Sequence, residues 1–245
     1  MPFPTHRTRE RPPEEVPKID RSSIPFSMSD GSFTVHALER PPMEVNVSFV
    51  FRKKIGDTRW SKKASGKWRY RLSVPWQYFI VRVNRVGAIT DTFLWLSRRK
   101  LESIQDGAVY MPPLPNIYPS GHICNGTIRV DFNDPIHLRV QKAFESFWTT
   151  PFTEETWPER GDILPRCYSA QPLYICYGYL KLMLDFWQKH DAHNRNGGCG
   201  FPFRLMKVVN KAMPSWHGHL IESLADAMEY GLQFRAPTRD DLEDR

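Results

Sequence analysis

The spacing of the apolar residues changes once along this chain, and that change limits the folds open to it. From Glu44 onward, Val45, Val47, Phe49 and Phe51 fall at every second position, the spacing that puts one face of a strand into a core. Trp68, Tyr70 and Leu72 alternate again before Pro75, Gln77 to Val83 is a β-branched and aromatic run, and Ile89 to Leu96 is a fourth. Loop residues separate these runs, so they predict an antiparallel four-strand meander. Beyond Asp134 the spacing becomes three and four: Ile136, Val140, Phe144, Phe147 and Trp148 trace one helical face, with Asp134 as the expected N-cap and Pro135 in the first turn. Leu173 to His190, Arg204 to Met213 and Leu220 to Tyr230 predict three more helices. The expected class is α/β of the α+β kind.

Between the two periodic regions lies Met111-Pro-Pro-Leu-Pro-Asn-Ile-Tyr-Pro-Ser-Gly121. Prolines remove backbone donors and restrict their neighbours, so neither helix nor regular strand persists there, and an irregular loop is expected. Residues 1–42 hold many of the 21 prolines and read as an extended arm. Three parts follow: the proline-rich arm at 1–42, a core at 43–153 and a helical extension at 154–245. At 245 residues and 40% hydrophobic the chain can bury one substantial core.

No run of 18 uncharged apolar residues exists and the first residues carry no apolar stretch, which predicts a protein with no membrane partner and no secretory signal. The four cysteines form no CxxC pair, and read as thiols in a reducing, cytoplasmic setting with no metal. Asn196-Gly-Gly-Cys-Gly200 lacks the P-loop pattern and reads as a turn between helices. The net charge of +7 has its densest source between Arg52 and Arg71, where Lys53, Lys54, Lys62 and Lys63 interleave with Trp60 and Trp68. The favoured reading is a hairpin with a solvated basic tip; the other is contact with nucleic acid or an acidic partner.

The segment Leu114-Pro-Asn-Ile-Tyr-Pro-Ser-Gly-His-Ile-Cys-Asn-Gly-Thr-Ile128 resembles the loop of the E2 ubiquitin-conjugating enzyme superfamily. Its members carry His-Pro-Asn, a hydrophobic residue, commonly Tyr-Pro-x-Gly, and a cysteine eight residues after the Asn. Asn116 and Cys124 have that spacing, and Pro115, Ile117, Tyr118, Gly121 and Ile123 match as well. Leu114 stands where the family has its His, which is credited there with shaping the loop. Cys124-Asn125-Gly126 and the run Phe144 to Thr153 are similar to the divergent bacterial and phage E2-like group that includes the PRTRC-system B proteins. The likeness spans about residues 44–153 and implies an E2-like fold: meander, cysteine loop, crossing helix, then extra C-terminal helices. It implies a prokaryotic, phage or plasmid host.

The chemistry has its own logic. Passing an activated carboxyl group between carriers calls for a sulfur nucleophile, because a thioester keeps its acyl-transfer potential. Cys124 is that candidate; a small buried hydrophobe is the bland alternative. An amide donor such as Asn116 would stabilise the oxyanion that develops when an amine attacks, or would brace the loop. Pro115 and Tyr118 restrict the loop beforehand, and Gly121 is expected to take a positive φ. His122, two residues before Cys124, is a secondary candidate for tuning the thiolate, against a structural histidine. The resemblance implies an E1-like activating protein and a small ubiquitin-like modifier as partners, and no cofactor. The alternative function is a catalytically idle binding or assembly module on the same fold, touching nucleic acid through the basic hairpin.

Overall fold

The computed structural model describes residues 24–55, 59–112, 114, 116–117, 121–123, 133–153, 184–185, 187–189, 201 and 221–235. In chain order these form β1 (Phe26–Ser29), β2 (Phe33–Arg40), β3 (Met43–Ile55), β4 (Arg59–Val74), β5 (Trp76–Asn84), β6 (Ile89–Ser97), α1 (Ile136–Thr149), β7 (Phe152–Thr153) and α2 (Leu224–Gln233). One sheet has the order β1-β2-β5-β6 and a second the order β4-β3-β7. All pairings are antiparallel except β3 with β7. The fold is a mixed α+β one.

The two sheets share one ribbon. Arg40 stands opposite Gln77 and Met43 opposite Val74, three residues on along one strand and three back along the other, so the register runs through the break. Counted in that register, Pro42 falls opposite Pro75, and neither has an N–H to donate. The ladder is therefore interrupted on both sides at one place, and β2–β3 and β4–β5 are each one strand line with a proline break.

This corrects the expected meander. Residues 45–51, 68–72, 77–83 and 89–96 do lie in strands, but β4 does not pair with β5; it continues into it. The four lines are β1, β2–β3, β4–β5 and β6. The first of them and half of the second come from residues 26–40, which composition had placed in the arm. Phe33, Val35 and Ala37 supply the apolar residues of one face there and Leu38 faces the other side, and Val35, Ala37 and Leu38 are wholly buried.

Neighbouring strand residues point to opposite faces, so Leu94 (opposite Phe79) and Phe93 (opposite Ile80) mark two sides of the first sheet. α1 covers the Phe79 side: Phe144 meets Phe79 edge-on at 5.5 Å, and Phe147 lies 6.4 Å from the same ring. Fully burying a side chain such as Val140 or Phe144 contributes about 1.5–3 kcal/mol. α2 covers the Phe93 side, where Tyr230 meets Phe93 edge-on at 6.0 Å. A Cβ on Gly231 would sit 3.4 Å from Val35 and 3.5 Å from Phe93. The sheet is the middle layer of three.

Both helix starts differ from the reading of the sequence. Pro135, not Asp134, is the N-cap of α1 and no side chain caps it; the Asp134 carboxylate pairs with Lys142 instead. α2 begins at Leu224 rather than Leu220, because Ser223 and Asp226 form a reciprocal capping box. Of the expected helix 173–190, residues 184–185 and 187–189 are helical and the rest, like 204–213, lies outside the described residues. Trp187 donates to the Ser73 carbonyl at 3.1 Å and Tyr70 donates to Asp185 at 3.1 Å, tying this extension to β4. Among the described residues no helix is long and apolar enough to cross a membrane.

Candidate functional site

The proline-rich loop closes against the outer edge of β6. Leu96 exchanges two backbone bonds of 2.8 Å with Tyr110, Leu94 N–H donates to the Gly121 carbonyl at 3.0 Å, and Ile123 N–H donates to the Thr92 carbonyl at 2.8 Å. An exposed strand edge is thus covered by two pieces of loop. Between them the chain turns twice: Leu114 N–H bonds Pro112 O at 2.8 Å and Ile117 N–H bonds Leu114 O at 3.1 Å. Ile117 then pairs with Ile123 in an antiparallel bridge.

Leu114 is wholly buried, as are Ile117 and Ile123 within 2%. An apolar side chain there anchors the turn in the core. Asn116 follows one residue before the bridge and is partly exposed. Gly121 has φ +75°, and a Cβ there would come within 2.6 Å of the Trp95 indole. Backbone conformation and lack of space both require glycine.

His122 lies at the α2-covered face. Its Nε2 is 3.4 Å from Asp91 Oδ1, and its ring stacks on Phe234 at 4.5 Å and tilts against Phe93 at 5.3 Å. Arg82 holds the other oxygen of Asp91 at 3.2 Å, covers the Phe33 ring at 3.5 Å and donates to Leu232 O at 3.1 Å. Burial would raise the Asp91 carboxyl, but bonds from His122, Thr90 and Arg82 outweigh it and hold the group below the usual carboxylate value.

Cys124, Pro115 and Tyr118 lie outside the described residues. Lys53 and Lys54 fall in β3, Lys62 and Lys63 in β4, so the basic cluster occupies paired strands up to Ile55 opposite Arg59 and not only a tip; their side chains are outside the description. The loop thus gathers Leu114, Asn116, Gly121 and His122, while the basic cluster belongs to the far end of the ribbon. Reading the sequence missed Asp91, Arg82, Trp95 and Phe234. The first two were findable: opposite charges nine residues apart, astride the turn at Asn84–Gly87, face each other across a hairpin. Nothing local pointed to Phe234. Among the described residues no group of three or more metal-ligating side chains occurs.

Comparison with protein-family models, with curated proteins and with solved structures gives no match to this chain.

Proposed function

We propose that this chain is an E2-like carrier, which accepts a ubiquitin-like protein as a thioester on Cys124 and passes it to an amine, in a prokaryotic or phage cytoplasm. The observation that supports it most is the Ile117–Ile123 bridge. Asn116 precedes one member and Cys124 follows the other. Bridged residues have Cα atoms about 5 Å apart and each further residue adds about 3.8 Å, so connectivity alone keeps the two Cα atoms within about 13 Å. The order of meander, loop and helix, with α1 the next described helix after the loop, fits an E2-like fold.

In this reading the Cys124 thiolate attacks the thioester carbonyl carbon of the modifier on its E1-like partner. That partner's sulfur leaves, and the acyl group stays activated. An acceptor amine then attacks the same carbon, the Asn116 amide donates to the developing oxyanion, and Cys124 departs as thiolate. Bonds at Leu114, Ile117, Gly121 and Ile123 restrain the loop in advance, which lowers the entropy lost in reaching that geometry.

The experiment is loading with modifier, activating partner and ATP. A thiol-cleavable adduct is expected in the wild type, none in Cys124→Ala, and a slower, thiol-resistant ester in Cys124→Ser, oxygen being the poorer leaving group. An adduct that survives in Cys124→Ala would reject the assignment. Absence of any adduct while modifier and partner still bind would instead make the chain an assembly module.

A further inference from the structure

We infer that His122 is a positioning residue, holding the backbone that leads into Cys124 through a ring stack and a polar contact with Asp91; its bearing on catalysis rests on the thioester reading. Three separate parts of the fold close on this side chain. β6 supplies Phe93, 5.3 Å between ring centroids, and Asp91, 3.4 Å from Nε2. The residue just after α2 supplies Phe234, whose ring lies 29° from parallel at 4.5 Å. β5 supplies Arg82, which grips the same carboxylate and also the carbonyl of Leu232 near the end of α2. The backbone on either side is fixed as well, Gly121 to Leu94 and Ile123 to Thr92.

A histidine that passes protons to a neighbouring thiol needs a ring able to change its charge and its partner. Here Nε2 faces an ionised carboxylate, the ring lies on Phe234, and only 17% of the side chain meets solvent. These contacts restrain position. They also link the end of α2 to the strand-like segment 121–123, so docking of the helix and order of the loop belong to one packed unit.

The test uses the full chain carrying His122→Ala, His122→Phe or His122→Gln. Phe keeps a ring between Phe93 and Phe234, Gln keeps a donor for Asp91, and Ala keeps neither. Two readouts need no modifier: hydrogen exchange of the Ile123 and Leu94 amides, which close the bridge around His122, and the pH profile for iodoacetamide alkylation of Cys124, followed on its own peptide. Exchange should rise about tenfold or more in His122→Ala and return toward wild type in His122→Phe and His122→Gln. The alkylation midpoint should be the same in all four proteins, and where a thioester forms, discharge should slow in His122→Ala but not in His122→Phe. Unchanged exchange in His122→Ala overturns the inference. So does an alkylation midpoint that moves equally in His122→Ala and His122→Phe, which would make the imidazole a thiolate-tuning group. If His122→Ala fails to fold, His122→Phe decides: native exchange supports positioning, raised exchange rejects it. A wild type that never forms a thioester would sink the carrier reading and leave these results standing.

Discussion

The two faces of the four-stranded sheet bury positive charge in different ways. Under α1, Arg40 and Arg139 are 4% and 8% exposed. Arg40 lies over the Phe144 ring at 5.6 Å, and Arg139 donates to the Gly87 carbonyl without forming an ion pair among the described residues. Burial and the Arg139 charge hold the nearby His36 imidazole below its usual value, so it adds no third cation. Under α2, Arg82 meets a carboxylate, a carbonyl and a ring. On the first face the cations lie beside aromatic rings, with the Glu145 carboxylate acting on Arg40, and on the second one cation is matched directly to a carboxylate around the loop. Burying a charge is tolerable by either route, but only the second makes order in the loop depend on ionisation.

The aromatic face should break most severely. Phe144 is 1% exposed and packs on Phe79 and Trp148, so Phe144→Ala should cost about 3–5 kcal/mol in urea unfolding. A loss under about 1 kcal/mol would mean that α1 repacks and that the contrast with the α2 face is overstated.

On the α2 face, fit comes next. Gly31 and Gly121 both have positive φ, but a Cβ at Gly31 meets nothing within 4 Å. Gly31→Ala should cost about 1–2 kcal/mol for the backbone alone. Gly121→Ala should lose about 1–3 kcal/mol more, because the methyl strikes Trp95. Equal melting shifts for the two would show that the indole contact does not set the loop.

The smallest effect is the most diagnostic of charge. The folded Asp91 carboxyl lies below its usual value of 3.8, so its stabilisation is present above that value and is lost as pH falls through the lower folded one. The stability difference between wild type and Asp91→Asn should shrink as the pH is taken from 7 toward 3. A difference that stays constant over that range would remove charge from the account of this face.

Much of this fold could be read before it was seen, and the failures have causes. Alternation in Val45–Phe49 and Tyr70–Leu72 marked real strands, since one-sided burial imposes period two locally, and Gln77–Val83 read as a continuous β-branched and aromatic run because β5 is buried on both faces. Three and four spacing marked α1 for the same reason. β1 and β2 were hidden because nearby prolines suggested an arm, whereas Pro41 and Pro42 fall between strands. Pairing of β5 with β2 is long-range, and no local pattern carries it. At the loop, Gly121 was legible because a turn needs a positive φ, while its contact with Trp95 was not. The His122 neighbourhood was invisible, since Phe234 is more than a hundred residues away in sequence and reaches it only once α2 has docked.

The opposed prolines of the long ribbon bear on how its pairing is proofread. A hairpin zipped from the turn between β3 and β4 could slip, and a one-residue slip sends every side chain to the wrong face. In the native register Pro42 and Pro75 share one gap, with the third donorless residue, Pro41, beside it. A one-residue slip in one direction merely sets Pro41 opposite Pro75, whereas a slip in the other direction, or a longer one, parts Pro75 from both and scatters the missing hydrogen bonds along the ladder. The prolines thus make most misaligned ribbons less stable than the aligned one before α1 or α2 has arrived to check them.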